Sequence, residues 1–215
     1  MTDVTSGKFT QTPEEIEFEM RAAISSQWTG GRLFIGMYAF LMASLAFSYF
    51  YLRSSNNGQL WRPNHVSAPT SIGWAIASTV VLAAFLALFG HARLRRGRVL
   101  DWEVAGWIAV ACGLGALALQ CWELTDLSFY PGSSGYASCF IGWAVLNIIT
   151  ILLMTYWLET ALARSLRLRS EYGTGAQLES TESARMFRAN VASCTYFCAV
   201  VAVSSALFFS LFYLL

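Results

Sequence analysis

Charge is the scarcest property of this sequence. Only 13% of its 215 residues are charged, against about 25% in soluble domains, so a water-facing surface of ordinary size cannot be built from it. Histidine is scarce too, with two residues, His65 and His91. The span order below puts them on opposite membrane faces, which excludes a haem held by two histidines and a histidine-rich copper site within this chain. There is no glycine-rich phosphate loop and no hydrolase nucleophile elbow. A transporter or proton pump carries several charged or paired polar groups in mid-membrane, and here only Glu123, near one span end, and Asn147 qualify. These absences argue against an independent catalyst and for a scaffold or accessory subunit, with a small transporter titrating at Glu123 as the reading of another class.

What is present is apolar. Of all residues 56% are hydrophobic, including eight Trp, nine Tyr and fifteen Phe. Five apolar runs, at about 33–52, 70–90, 102–125, 136–163 and 187–215, reach or approach the roughly 20 residues that cross a bilayer. The expected fold class is all-α, a polytopic membrane bundle of five transmembrane helices. Residues 1–31 form a cytoplasmic tail with a short amphipathic helix, and 32–215 the transmembrane domain. With five spans, the N-terminus, the 91–101 loop and the 164–186 loop share one side and, with Arg188 just past the last of them, hold twelve of the fourteen Lys and Arg residues. The positive-inside bias then puts the N-terminus in the cytoplasm and Leu215 outside. It also accounts for Arg93, Arg95, Arg96 and Arg98 without a nucleic-acid or phosphoinositide partner. The first span lies too far in for a cleaved signal peptide.

Residues 1–12 show no apolar period and read as a mobile tail. Thr12-Pro13-Glu14-Glu15 is a helix start, with proline at the first position and acids in the first turn. Ile16, Phe18, Met20 and Ile24 follow as a short helix, and its four glutamates favour a protein partner over anionic headgroups. Arg32 and Arg53 bracket the first span, which ends in an aromatic belt. A turn at Asn56-Asn57-Gly58 and the rigid Trp61-Arg62-Pro63 lead to the second span. The turn from Tyr130 to Gly135 pairs the third and fourth spans as an antiparallel hairpin. The cytoplasmic loop 164–186, rich in Arg, Ser, Gly and Glu, reads as mobile or ordered by a partner.

The third span contains the main contact seam. At a spacing of about 3.5 residues, Ala109, Gly113, Ala116, Gln120 and Glu123 share one face, small residues ending in two polar ones. Small side chains let membrane helices approach, and Gln and Glu find no partner in lipid, so this face points at protein. Gly142 and Asn147 are the corresponding candidates on the fourth span, and Cys198 and Ala202, with Cys194 and Ser205, on the fifth. All five cysteines, Cys112, Cys121, Cys139, Cys194 and Cys198, lie in apolar runs and read as buried free thiols, not a secreted disulfide framework. The positions of Cys121 and Cys139 leave one disulfide open. A metal site at Cys194 and Cys198 lacks further ligands on that span.

The run from Gly113 through Gln120-Cys121-Trp122-Glu123, then Tyr130-Pro131, then Tyr136-Ala137-Ser138-Cys139-Phe140 resembles subunit III of the haem-copper (cytochrome c) oxidases. In that family a Gln-x-x-Glu helix end precedes a Tyr-Gly-Ser-x-Phe helix start. Phe47 to Arg53 resembles the end of the family's first core helix, Trp61-Arg62-Pro63 its Trp-Pro-Pro loop, and Pro69-Thr70 with Ser78 its next helix. Five spans suit the short bacterial form. Aligned without gaps, the family's Ser-Glu falls on Met37-Tyr38, its two histidines on Leu146 and Ile149, and its Trp-His and Asp near Cys198, Ala199 and Ala202. Within the membrane, Gln120 and Glu123 remain.

The resemblance implies a non-catalytic subunit in the bacterial plasma membrane, without a redox centre. It would bind and protect a catalytic subunit I that carries haem and copper, among the other subunits of a respiratory complex. Structural phospholipid would lie in a cleft between the first two helices and the remaining three. The replaced polar residues raise the weight of a related complex such as nitric oxide reductase, and they remove the basis for a proton-uptake role. Gln120, Glu123 and Asn147 then form a structural polar seam, with no catalytic, cofactor-binding or metal residues assigned.

Overall fold

The structure, a computed structural model, describes residues 12–56, 60–63 and 66–215. The 1–11 part of the expected tail, Asn57-Gly58 of the expected turn and His65 lie outside the described residues. Five long helices make up nearly all of the rest: α1 (Pro13–Ser55), α2 (Thr70–Arg95), α3 (Val99–Thr125), α4 (Gly135–Tyr172) and α5 (Glu182–Phe209). A short 3₁₀ turn (Ala176–Leu178) precedes α5, and a wide last turn (Ser210–Leu214) extends it. All five are long and apolar enough to cross a membrane. The chain is a multi-pass membrane protein by that measure.

The short amphipathic helix does not stand apart from the first span. Helix α1 starts at a capping box, in which Glu15 N–H donates to Thr12 Oγ1 at 3.3 Å and Thr12 N–H to Glu15 Oε2 at 2.7 Å. It then continues unbroken for 43 residues, about 65 Å at 1.5 Å per residue. Gly30-Gly31 does not end it, because a helix in apolar surroundings has nothing else to satisfy its backbone groups. Gly31 serves contact instead: a Cβ there would lie 2.8 Å from Ser193 Oγ on α5.

A second correction concerns the connection near 164–186. Helix α4 extends through Tyr172, and the chain turns only from Gly173 (φ +89°) to Thr181. Most of the expected loop is thus helix, ordered by the chain's own contacts. Ser165 and Gln177 are fully buried.

Helix α2 packs along α3 and α5, α3 on α4, α4 on α5, and α1 on α5 and more lightly on α4. A two-helix unit of α1 and α2 facing the other three, the expected lipid cleft, is not formed, since α1 makes no extended contact with α2. Alanine and glycine permit the close crossings. Gly90 of α2 sits against Trp102 of α3, where a Cβ would come within 3.0 Å of the indole. Gly106 meets Leu162 of α4, 2.6 Å from where a Cβ would stand, and Gly113 meets Thr155 Oγ1. Gly113→Ala is expected to destabilise the protein by about 1 kcal/mol, the overpacking penalty. Thr155→Ala in the same chain is expected to restore most of it, as read by thermal unfolding in detergent with a thiol-reactive dye reporting the buried Cys194 and Cys198.

The two ends of the bundle differ. Most arginines cluster at the end where α1 and α5 begin and α2 and α4 finish. The opposite end is an aromatic cluster. Tyr49 meets Trp61 and Phe212 edge-on at 5.2 and 5.0 Å, Trp61 meets Tyr136 at 6.2 Å, and Tyr136 stacks on Phe140 at 6.0 Å. Arg62 lies over the Tyr136 ring at 4.9 Å.

Candidate functional site

Three helices bring their polar groups together near the aromatic end. Ser205 of α5 donates to Asn147 Oδ1 of α4 at 2.9 Å, and Asn147 Nδ2 donates to Gln120 Oε1 of α3 at 2.9 Å. Gln120 Nε2 in turn donates to Glu123 Oε2 at 2.5 Å, and Tyr213, in the last turn, donates to Glu123 Oε1 at 2.6 Å. The chain of bonds leaves α5 at Ser205 and returns to it at Tyr213. Gln120, Glu123, Asn147 and Ser205 are all buried.

Each member sits where its helix register puts it. Gln120 and Glu123 are one turn apart on the buried face of α3, below Ala109, Gly113 and Ala116, all buried. Asn147 is in the buried stripe of α4 that starts at Tyr136. Ser205 follows Cys198 and Ala202 on the buried face of α5. Both Glu123 oxygens accept, the Gln120 amide donates and accepts, and so does the Asn147 amide. A network with its members so matched fixes three helices in one register, because any axial slip breaks several bonds at once in a medium without water to replace them.

Gly142 is the exception among the expected packing residues. It is exposed, and a Cβ there would meet nothing within 4 Å. It shares a face of α4 with Ser138, Val145, Ile149 and Leu152, all exposed, which is the stripe turned away from the bundle. The expectation took glycine itself as the sign of a contact, whereas the helix phase set by Phe140, Trp143 and Asn147 points Gly142 outward. Leu146 is half-buried and Ile149 exposed.

Sequence reasoning missed two members. Tyr213 lies eight residues, about two turns, after Ser205 and so shares its face. Glu103 is the larger omission, since Glu123 is not the only buried carboxylate. Glu103 continues the α3 seam at the basic end and is 5% exposed. Its Oε2 accepts from Arg169 Nη1 at 2.6 Å and its Oε1 from Ser165 Oγ at 3.0 Å, both on α4. Gln177 Nε2 donates to the Ser165 carbonyl at 2.8 Å, and Arg188 Nη1 of α5 to the Gln177 carbonyl at 2.6 Å. The signal was present: Glu103, Gly106, Ala109, Gly113, Ala116, Gln120 and Glu123 are spaced by three or four throughout.

All five cysteines are free, with Cys194 and Cys198 buried and Cys121 exposed. The disulfide left open between Cys121 and Cys139 is not formed. Among the described residues no group of three or more His, Cys, Asp or Glu side chains could hold a metal ion. His91 lies half-buried at the basic end of α2.

No protein-family model matches the chain, and no curated protein does. The polar seam holds helices together; each of its polar groups is used by another, and the two ends of the α3 seam are anchored separately, by Glu123 and by Glu103.

Proposed function

We propose that this protein is a non-catalytic membrane subunit, similar to subunit III of the haem-copper oxidases, that supports and stabilises the catalytic subunit of a respiratory terminal oxidase and binds membrane lipid. The observation that carries the reading is the convergence of the segments that resemble the family. Tyr49, Trp61 and Tyr136 come from three separate stretches and meet in one aromatic cluster. Gln120 and Glu123, from a fourth, lie beside it, joined to the last turn through Tyr213, while Tyr136 donates to the adjacent Phe212 carbonyl at 2.8 Å. Residues far apart in sequence that resemble one family and fold into one structural unit support that family's scaffold role. In this reading the N-terminus is cytoplasmic, the aromatic end is outside, and haem and copper belong to the partner.

A second reading keeps the scaffold and changes the partner. Tyr38 stands where the family has an acid and is buried, its hydroxyl facing Ser204 and Thr150. Together with the aliphatic residues at 146 and 149, that replacement favours an accessory role in a related complex such as nitric oxide reductase.

Purification of the native complex in mild detergent tests both. The expected result is a coloured preparation with a haem spectrum and a large haem-bearing partner by mass. A colourless, partner-free protein would overturn both and favour a transporter that titrates at Glu123. Glu123→Gln separates anchor from titrating group in a second way. One of its two donors, Gln120 Nε2 or Tyr213 O–H, would then face an amide N–H, so a loss of about 1 kcal/mol of stability is expected. Unchanged stability with lost function would favour the transporter.

A further inference from the structure

Helix α4 carries a carboxylate on the side that faces away from the bundle. Gly142, Val145, Ile149, Leu152 and Tyr156 lie on the outward stripe of that helix, and Glu159 continues it; all are exposed. The depth of Glu159 follows from two helix crossings. Thr155 meets Gly113 of α3 and Leu162 meets Gly106, so Glu159 lies between them. Gly113 stands next to the midpoint of α3, and Glu159 is one turn, about 6 Å, from Thr155 along α4. The hydrocarbon layer extends about 15 Å to either side of its middle, which places the Glu159 backbone inside it.

The Glu159 side chain makes no hydrogen bond and no ion pair among the described residues. Arg167 and Arg169, further along the same helix, differ: they have Glu171 at 3.5 Å and Glu103 at 2.6 Å. One turn from Glu159 in either direction stand Thr155, Tyr156, Leu162 and Ala163, none of them a cation. Arg164 points elsewhere, about 140° round the helix. Arg32, also exposed within a span, escapes by length, its guanidinium lying over the Trp28 ring at 5.6 Å, as long cationic side chains do near an interface. The two methylenes of Glu159 give it no such reach. Ionisable residues inside a bilayer almost always face protein or water and pair with an opposite charge. Among the described residues Glu159 has neither.

We infer that the outward stripe of α4 is the docking face for a transmembrane helix of a different protein, which presents a lysine or arginine to Glu159. Charge sets the class of partner. Membrane proteins concentrate Lys and Arg at the cytoplasmic ends of their spans, and Glu159 lies toward the basic end of this bundle, so a neighbouring span brings its cations to that level. A second copy of this chain does not fit. A two-fold dimer through the stripe sets Glu159 beside Glu159, like charges without water between them. A head-to-tail contact with the exposed Arg32 of another copy does not close at two subunits. Further along the stripe, a Cβ on Gly142 would meet nothing within 4 Å, which leaves bare backbone for a large side chain of the partner about 25 Å from Glu159. This docking face rests on the scaffold reading only in needing a partner, and on no particular complex.

The test is photo-crosslinking in native membranes from benzoylphenylalanine in place of Leu152, on the stripe, or of Leu82, on the exposed side of α2, with mass spectrometry of the adducts. Position 152 is expected to capture one transmembrane segment of another protein, with a Lys or Arg about 10 Å, or two turns, further toward the basic end. Position 82 is expected not to capture it. Glu159→Lys is expected to lower the yield at 152 roughly tenfold or more, and exchange of the partner's cation for Glu to restore it. Glu171→Gln, on the same helix beyond the apolar run, is expected to leave it unchanged. Adducts with lipid alone, a captured segment without a cation at that level, equal capture from both positions, or an undiminished yield in Glu159→Lys would overturn the proposal. Capture of another copy of this chain would overturn it in favour of a homo-oligomer. Should Glu159→Lys not fold, Glu159→Gln removes the charge with little change of shape, and an unaltered yield in that variant would overturn the pairing. The two readings fail separately: a captured protein without haem overturns the oxidase and keeps the docking face, and a haem-bearing complex with lipid alone at position 152 does the reverse.

Discussion

Glu103→Ala is expected to cost about 3 kcal/mol of stability, the largest loss of any single substitution considered, although Glu103 lies far from the polar chain that contains Glu123. The reason is what its removal leaves behind. The Glu103 side chain is 7% exposed and its partner Arg169 36%. Breaking a buried ion pair at one member leaves an uncompensated charge, a loss of about 3–5 kcal/mol; the partial exposure of Arg169 puts this case at the lower end. Ser165 loses its acceptor as well, and through Ser165 and Gln177 the disturbance reaches Arg188 and the turn between α4 and α5. Arg169→Ala is expected to cost a similar amount, because it leaves the buried Glu103 carboxylate with Ser165 as its one partner. Glu103→Ala/Arg169→Ala, which removes both charges, is expected to cost less than Glu103→Ala alone. Chemical or thermal unfolding of the three variants in detergent decides. A neutral Glu103→Ala would mean that the pair is solvent-screened, as surface pairs are.

The sequence made the architecture legible and the ends of helices less so. Five apolar runs are visible because a bilayer demands about 20 apolar residues for each crossing, and the structure has five helices to match. Helix ends answer to no such rule. Outside the apolar core, α1 and α4 continue as ordinary amphipathic helices, and a sequence of Arg, Ser and Glu reads equally as loop or as exposed helix. What decides between them is tertiary: Gln177 reaching back to Ser165, and Gln27 Nε2 and Trp157 Nε1 both donating to Asn190 Oδ1, at 3.3 and 2.9 Å, which ties α1, α4 and α5 together.

The site was legible in proportion to helix phase. On α3 the seam could be read because Ala109, Gly113, Ala116, Gln120 and Glu123 are spaced by three and four. The same rule extends it to Glu103, at the basic end of the helix. On α4 the identity of one residue, Gly142, outweighed phase, and the residue faces away from the bundle. Partners across helices were not legible at all. Nothing in the spacing of α3 tells that Asn147 takes the Gln120 carbonyl or that Tyr213 reaches Glu123, since those pairings depend on the vertical offset of helices, which packing at Gly106 and Gly113 sets.

Asn147→Leu is expected to cost about 2 kcal/mol, because it leaves two groups unpaired: the Gln120 carbonyl and the Ser205 hydroxyl. A buried polar group left without its partner costs about 1–3 kcal/mol. Ser205 can recover part of that by turning to a carbonyl of its own helix, as Thr195 does with Val191 at 2.8 Å; the Gln120 carbonyl has no such recourse. The network's shape then predicts an order. Ser205→Ala and Tyr213→Phe, at the two ends, each strand one group and are expected to cost about 1 kcal/mol. Gln120→Leu, in the interior, strands both Asn147 Nδ2 and Glu123 Oε2 and is expected to match Asn147→Leu. Asn147→Leu/Ser205→Ala is expected to cost clearly less than the sum of its parts, because the two residues share one bond. Unfolding midpoints in one detergent give the whole series. A set of equal, additive losses would mean that these residues act separately. A series in which stability stays flat while function disappears at Glu123 alone would mean that the chain of hydrogen bonds carries protons and does not anchor helices. Interior losses exceeding terminal ones, with sub-additive neighbours, mark an anchor, and that is the order in which these five side chains are bonded.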